Sequence, residues 1–587
     1  MVNEGMPANY DRGLAICFDD FGKYIGVRVK MGNRDVVYRP GPSNNGPPLT
    51  PSAKLSDKLE KKIDFIFQVS ESLSHLDSSS NEEWKEWLTR VPWKDEQIQQ
   101  QVAAEVSKTA EEAGCGEKLE SGRTRSGYMF PARFVNGDIQ PLFKTQQAKD
   151  YMIQETVKVW SKESEQARCS ICNSSDTKVF GNFSELKSYS LDKPGSIVGG
   201  FQSAVSPRNF PVCSNCSFSL TAAIRYVFDH LQGNMAGESY LILPFSSSLE
   251  IRKLLREELE KRPERFSISS RTDLLAASEE EFVQLMLDEN LKEQLAFSLI
   301  FFAEKQKSWR ILGEVHQVLP GRMREIQWAI RRVRSDSMLE GKDGQPLNIT
   351  SHMLREFTGP ENKKSGEMLR SWLSAIFSGR TSDRSVFLGA LVERIMAAGR
   401  REPQKLAWIT RQAWGIYLFA REINFIEQRR EESMAFEEPK SSFGQFIKNH
   451  NDFFSRTEIA TAFLTGCYVS IVCSVQRKER GSDPFSKKFL GRLLTSAALK
   501  KLYREGHDKL AQYRKLGYVA TTLDPDLAES WVACCNQWRI SDEEATFAFT
   551  IGYTLAYRIG KEYKIEPIDE FEGDPEEVLQ TEKEDEE

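Results

Sequence analysis

The sequence predicts an α+β protein, with a mixed α/β amino-terminal part, an inserted four-cysteine module and an all-helical carboxy-terminal bundle. Three observations carry this expectation. Apolar and β-branched runs at 13–40 and 121–145 read as strands. Two Cys-x-x-Cys pairs interrupt the α/β pattern, and from about residue 366 to 562 the apolar spacing is helical almost throughout. The implied division is 1–165 for the first α/β domain, 166–235 for the cysteine module and 236–360 for the rest of the α/β part. The helical bundle then occupies 361–564, and 565–587 forms an acidic, solvated tail.

Leu14, Ala15, Ile16 and Cys17 form one predicted strand, and Tyr24 to Val29 another, parted by Asp19, Asp20 and Gly22. A Pro/Gly/Asn-rich loop spans 40–51. Helices are expected over 56–75, within 81–113, and near 147–161. Tyr128, Phe130, Phe134 and Phe143 alternate as in a strand, with Asn136-Gly137 as a hairpin turn. Tyr240 to Phe245 reads as a buried strand. Residues 296–319 suggest a hairpin in which Leu299, Ile300, Phe301 and Phe302 face Trp309, Arg310, Ile311 and Leu312. The longest apolar run, 459–475, contains Thr461, Thr465, Ser470 and Ser474, which favours a buried core helix over a membrane span.

Composition narrows the class. Apolar residues make up 40% and charged residues 28% of the 587-residue chain, as in ordinary globular proteins. Residues 1–13 are polar, without the apolar stretch of a secretory signal. A cytoplasmic location is therefore expected, with the ten cysteines as thiols or metal ligands. The formal charge of −6 conceals an asymmetry: residues 565–587 hold twelve acids and one lysine, so residues 1–564 carry +5. A mildly basic body permits nucleic-acid binding.

The pairs Cys169/Cys172 and Cys213/Cys216 are the strongest chemical signal. Each pair can grip one ion from a tight turn, and two pairs complete a tetrahedral sulfur shell that suits structural Zn2+. Reduced thiols, a redox dithiol or an iron–sulfur cluster remain alternatives. Forty residues separate the pairs, so a loop or subdomain is inserted between them. No GxxxxGK[ST], HExxH or GxSxG motif occurs, and the six histidines sit at no ligand spacing. The adjacent acids Asp19 and Asp20 read better as a strand-end turn than as a nuclease pair. The expectation is a protein without catalytic activity.

The surroundings of the cysteines resemble a known family. Phe183, the stretch Tyr189 to Gly195 (YSLDKPG), Gly200-Phe201 and Asn209-Phe210-Pro211-Val212-Cys213 are similar to the large subunit of the type I-B CRISPR surveillance complex, Cascade. Phe463 to Gly466 (FLTG), Gln476, and Glu543 to Tyr553 (EEATFAFTIGY) resemble that family's late helices. The resemblance covers about 165–231 and 440–560. It implies a subunit that recognises the short duplex motif (PAM) beside the target and helps hold the displaced strand. Its implied partners are CRISPR RNA, target double-stranded DNA, the Cascade backbone and small subunits, and a helicase–nuclease, with no membrane. In some such systems the helical part is also made from an internal start, for which Met434 is a candidate. A zinc-stapled protein scaffold and a zinc-containing nuclease are the competing readings.

Nucleic acid would require basic loops or faces. Candidates are Arg34 and Arg39 in the first loop, and Arg123 and Arg125 on a glycine-flanked loop. Arg208 stands beside the second cysteine pair, and Arg324, Arg331 and Arg334 fall on roughly one helical face by i, i+7 and i+3 spacing, with Trp328 between. Arg477, Lys478, Lys487, Lys488 and Arg492 cluster about a break at 481–484. Each group could equally be a solvated face.

Overall fold

β1 (Arg12–Phe18) is the strand around which the amino-terminal unit is built. In the computed structural model every position from Leu14 to Phe18 is buried, as a strand covered on both faces requires. Alternate side chains enter two different cores. Leu14, Ile16 and Phe18 pack with Ile63, Phe67, Trp87 and Val102 from α1 (Leu59–Ser74), α2 (Glu82–Arg90) and α3 (Glu96–Glu112). Ala15 and Cys17 face Tyr128, Phe130 and Phe143 on the other side. The indole nitrogens of Trp87 and Trp93 donate to the carbonyls of Asp19 and Leu88 at 2.8 and 2.9 Å, so these large rings are buried without an orphaned donor.

The structure describes residues 6, 9–32, 35–39, 48–56, 58–76, 82–119, 123–161, 164–181, 206–261, 295–305, 308–341, 344–359, 363–427, 441–517, 523–534 and 537–562. They fall into two compact units, Met1–Tyr226 and Val227–Glu587.

In the first unit β2 (Tyr24–Met31) pairs antiparallel with β1, and β4 (Gly127–Val135) lies parallel to it. A parallel neighbour demands a crossover, which α1 to α3 supply. The short β3 (Ala53–Lys54) and β5 (Asp138–Pro141) both pair with β4, giving the order β2-β1-β4-β3 with β5 beside β4. The expected hairpin turn is present, Asn136 and Gly137 having φ of 50° and 88°. Asp19 and Asp20 form a turn, as expected: Asp19 Oδ1 accepts from the amides of Phe21 and Lys23, and Asp20 pairs with Arg133 at 2.7 Å. α4 (Gln146–Trp160), capped by Thr145, leads into a three-stranded sheet of β6 (Ser164–Ala167), β7 (Thr177–Phe180) and β8 (Val212–Cys213). The short α5 (Ser206–Asn209) precedes β8 and α6 (Ser214–His230) follows it.

The second unit opens with a four-stranded antiparallel sheet in the order β12-β11-β10-β9. Its strands are β9 (Gln232–Met235), β10 (Glu238–Ser246), β11 (Leu295–Lys305) and β12 (Ser308–Val318), with α7 (Leu249–Lys261) between β10 and β11. The expected hairpin exists, but its register differs. Leu299 lies opposite Val315, Phe301 opposite Gly313 and Phe302 opposite Ile311. Pairing extends to Lys305 opposite Ser308, so the strands run longer and slide the apolar runs past one another.

The rest of this unit is helical: α8 (Pro320–Arg334), α9 (Ser351–Phe357), α10 (Lys363–Ser378), α11 (Arg384–Arg401), α12 (Leu406–Glu422) and α13 (Ser442–Asn449). It continues through α14 (Thr457–Arg480), α15 (Ser496–Gln512), α16 (Asp524–Cys534) and α17 (Asp542–Glu562). α14 is long and apolar enough to cross a membrane, yet 89% of its apolar window is buried inside the protein. It is the core helix the sequence led us to expect. Met434 and the acidic tail lie outside the described residues.

α14 crosses α17 at two glycines. A Cβ built on Gly466 would fall 2.0 Å from the Phe549 carbonyl oxygen, and one on Gly552 would fall 2.0 Å from that of Phe463. The backbones therefore touch, which only glycine on both helices permits.

The aromatic core beside this crossing holds a histidine. His450 sits with its ring 4.6 Å from Phe446 and 5.4 Å from Trp414, and its Nδ1 has no hydrogen-bond partner. Burial, reinforced by the Arg421 charge, holds the imidazole down at about 4 against an ordinary 6.5. The unfolded chain therefore takes up a proton first as the pH falls. Stability should be intact above pH 6.5 and decline by roughly 3 kcal/mol as the pH drops to about 4. Urea midpoints measured at pH 7 and 4.5 check this. His450→Phe should remove most of the difference, and an equal slope in that variant would assign it elsewhere.

Candidate metal centre and basic surface

The first cysteine pair sits on the turn that joins β6 to β7. The Cys169 amide donates to the Ser174 carbonyl at 3.0 Å and the Asn173 amide to the Cys169 carbonyl at 3.0 Å, while Asn173 and Asp176 take left-handed φ of 60° and 50°. Asparagine and aspartate tolerate this conformation, so the turn that presents the two thiols is written locally. The Ser170 amide donates to the Pro211 carbonyl at 2.8 Å, tying the turn to the segment before the second pair.

Cys213 ends β8, where it pairs with Val179 of β7, and Cys216 lies in the first turn of α6. The sheet thus brings together pairs that are forty residues apart in sequence. All four sulfurs lie within 4.8 Å of one another, and those of Cys172 and Cys213 are 3.8 Å apart. A tetrahedral shell with metal–sulfur bonds of about 2.3 Å has sulfur–sulfur edges of about 3.8 Å, so the spacing fits a single ion. Cys169, Cys213 and Cys216 are buried while Cys172 is exposed. The floor is apolar, built from Trp160, Val179, Phe180 and Val212, with Phe218 packed 4.8 Å from Trp160.

The electrostatics of the tetrad are divided. The hydroxyl and amide of Ser174 hold Cys172 down at about 6. Burial, then the neighbouring Cys213 thiol, pushes Cys216 up to about 12. The Cys213 amide, 3.4 Å from Cys169 Sγ, offers a donor to a thiolate, and the start of α6 adds its dipole. Four thiolates this close repel one another, and a divalent cation relieves that repulsion. The cluster could hold a metal ion through these four residues, as the sequence led us to expect.

The sequence-nominated basic residues are dispersed, and several are already engaged. Arg34 lies outside the described residues. Arg39 is buried, 7% exposed. Arg125 pairs with Glu117 at 3.0 Å and stands 3.6 Å from Asp11, leaving Arg123 as the exposed arginine of that loop. Arg208 is exposed and pairs with Glu165 at 3.2 Å. Arg324, Arg331 and Arg334 are all exposed on α8.

The last cluster divides into an inner and an outer set. Arg477, 9% exposed, turns inward to Asp483 at 3.5 Å, with Nη2 buried and lacking a hydrogen-bond partner. Lys488 pairs with Glu505 of α15. Lys478, Lys487 and Arg492 are exposed. Sequence reading missed the continuation of this surface onto α15. Lys500, Lys501 and Arg504 are exposed there, and Lys501 approaches the same Glu505 at 4.0 Å. The i, i+4 spacing of Lys500 and Arg504 was the available signal.

Comparison with known families gives two matches. Residues 166–318 match the family model described as CRISPR-associated protein TM1802 (cas_TM1802) central domain. Residues 349–565 match the model described as the C-terminal domain of the same family. No curated protein matches the chain. The central-domain match contains all four cysteines, and the C-terminal match contains the basic surface of α14 and α15.

Proposed function

From the premise that the chain belongs to the CRISPR-associated TM1802 family, matched over more than half its length, we propose that it is the large, non-catalytic subunit of a type I-B Cascade complex. In this reading it works with CRISPR RNA and the backbone and small subunits in the cytoplasm. It reads the PAM of target double-stranded DNA, assists strand separation and receives a helicase–nuclease. The observation that carries the proposal is the exposed cationic surface of Lys478, Lys487, Arg492, Lys500, Lys501 and Arg504 on the helical unit. Among the described residues, Lys501 alone of these six cations comes within ion-pair distance of a carboxylate, Glu505 at 4.0 Å, which Lys488 already pairs with. Such a surface suits phosphates, which require spaced cations rather than a shaped pocket.

Zn2+ is the metal that best suits the four-thiolate site, since four sulfurs satisfy its tetrahedral preference and leave no open position. Bound there, it supplies cross-linking rather than chemistry. Cys169 and Cys172 anchor the β6–β7 turn, Cys213 anchors β8, and Cys216 anchors α6. The surrounding residues orient the thiolates through the Cys213 amide and the Ser174 hydroxyl.

The test is salt-dependent binding of target duplex by the assembled complex, carrying Lys478→Ala, Lys487→Ala and Arg492→Ala together. Each lost phosphate contact lowers the slope of log K against log salt by about 0.9, so a fall of roughly two to three is expected. An unchanged slope in a folded complex would remove this surface from the DNA path. Failure of the wild-type chain to copurify with a short RNA and repeated backbone subunits would favour a protein-only scaffold instead.

A further inference from the structure

One exposed face of α8 combines features that the charge of the helix does not explain. α8 reads PGRMREIQWAIRRVR, with five arginines against one glutamate. Its inner face is apolar: Met323, Ile326, Ala329 and Val333 are buried. On the outer face stands Trp328, 55% exposed. A helix buries tryptophan readily, and an indole left in water at mid-helix is held there at a cost.

Helical spacing sets the neighbours. At about 100° per residue, Arg324 and Arg331 lie within roughly 60° of Trp328 on one side and Arg332 within roughly 40° on the other. The Arg332 guanidinium lies 5.2 Å from the Trp328 ring centroid, while also pairing with Glu422 at 3.1 Å. Arg324 makes no ion pair among the described residues. Arg334 sits about a third of a turn away and does not share this face. The acid on this side, Glu325, is taken up by Arg322 at 2.9 Å. A flat aromatic plane is thus ringed by cations whose fixed acidic neighbours are already partnered.

We propose that this face of α8 is a single-stranded nucleic-acid platform, on which one unpaired base stacks on the Trp328 indole while Arg324, Arg331 and Arg332 hold the flanking phosphates. The inference rests on the nucleic-acid-binding reading given above and assigns it a second, distinct element. Charge complementarity selects the occupant. Protein interfaces also use tryptophan and arginine, but they set them in an apolar core. The positions within about 60° of this indole are Gly321, Arg324, Glu325, Arg331, Arg332 and Ser335, none of them a large apolar residue. A convex helix face offers a ring only to bases already out of a stack, which excludes intact duplex. Aromatic planes beside cations are the general solution for strands bound without sequence preference. RNA and DNA single strands share the chemistry, and both belong in the test.

The experiment measures binding of fluorescein-labelled, 12-nucleotide single strands of DNA and of RNA, and of a duplex of the same length, to the full-length protein at several salt concentrations. Trp328→Ala should weaken single-strand binding about tenfold without altering its salt slope. Trp328→Tyr should restore most of that affinity, and neither change should affect the duplex. Arg324→Ala with Arg331→Ala should instead lower the single-strand slope by about 1.4. Both positions are exposed, so the variants should melt at the wild-type temperature. Unchanged single-strand affinity in Trp328→Ala, with duplex still bound through Lys478, Lys487 and Arg492, would overturn the platform and leave the broader reading standing. A wild-type protein that binds none of the three probes would overturn both. Loss of an acidic protein partner in Trp328→Ala, with oligonucleotide binding unchanged, would reassign the face to protein.

Discussion

Replacing Cys213 and Cys216 with serine should abolish metal binding at the cysteine tetrad and dissolve the three-stranded sheet around it. The two residues come from different elements, the end of β8 and the first turn of α6, so their loss frees both from the β6–β7 turn at once. The apolar floor beneath them is small: Trp160, Val179, Phe180 and Val212 with partly buried neighbours. A core of that size holds little structure unaided, and ligation free energy on the order of 10 kcal/mol becomes folding free energy at such sites. Elemental analysis of the purified variant should find no stoichiometric metal. Limited proteolysis should then cut between residues 164 and 216 while the helical unit survives. Full metal retention would show that the four cysteines are not the ligands.

The second large effect is expected at the crossing of α14 and α17. Gly466→Ala places a methyl carbon 2.0 Å from the Phe549 carbonyl oxygen, and Gly552→Ala places one 2.0 Å from that of Phe463. These are backbone obstacles that cannot rotate aside, so the helices must separate and the aromatic packing of Phe463, Phe547 and Phe549 must follow. Overpacking against flexible side chains costs about 1–3 kcal/mol, and a backbone clash should reach or exceed the upper end. The two costs should not add, because the first substitution already opens the gap that the second requires. Gly389→Ala on α11, with nothing near its Cβ position, is the control and should be neutral or mildly stabilising. Urea unfolding of the three single variants and the double variant decides it. Additive losses would mean that the two glycines act separately.

These residues also mark how far the sequence could be read. Gly466 and Gly552 stood out in motifs, yet nothing local says that each faces the other's helix. The β1 strand was legible because its signal is local: an unbroken apolar run bounded by a turn. The cysteine tetrad was legible because metal chemistry imposes its own spacing. The β11–β12 register was not, since sliding one apolar run past another keeps the alternation and changes only the partner. Charge was the least legible feature. Arg477 and Arg125 look like their neighbours in sequence, and only the fold brings Asp483 and Glu117 to them. Trp328 reads as a core residue by type, and its exposure follows from which face of α8 meets the helices behind it.

The burial of α14 has a consequence for how the protein is made. The ribosome completes this helix at Arg480, about sixty residues before it reaches the start of α17 at Asp542. At about 5–20 residues per second, a segment apolar enough for a lipid bilayer waits several seconds without the partner that covers it. During that interval its fate depends on chaperones and on the helices already emerged. A transcript broken between those two points would release a chain with that surface permanently open, and such chains are fit only for degradation or aggregation.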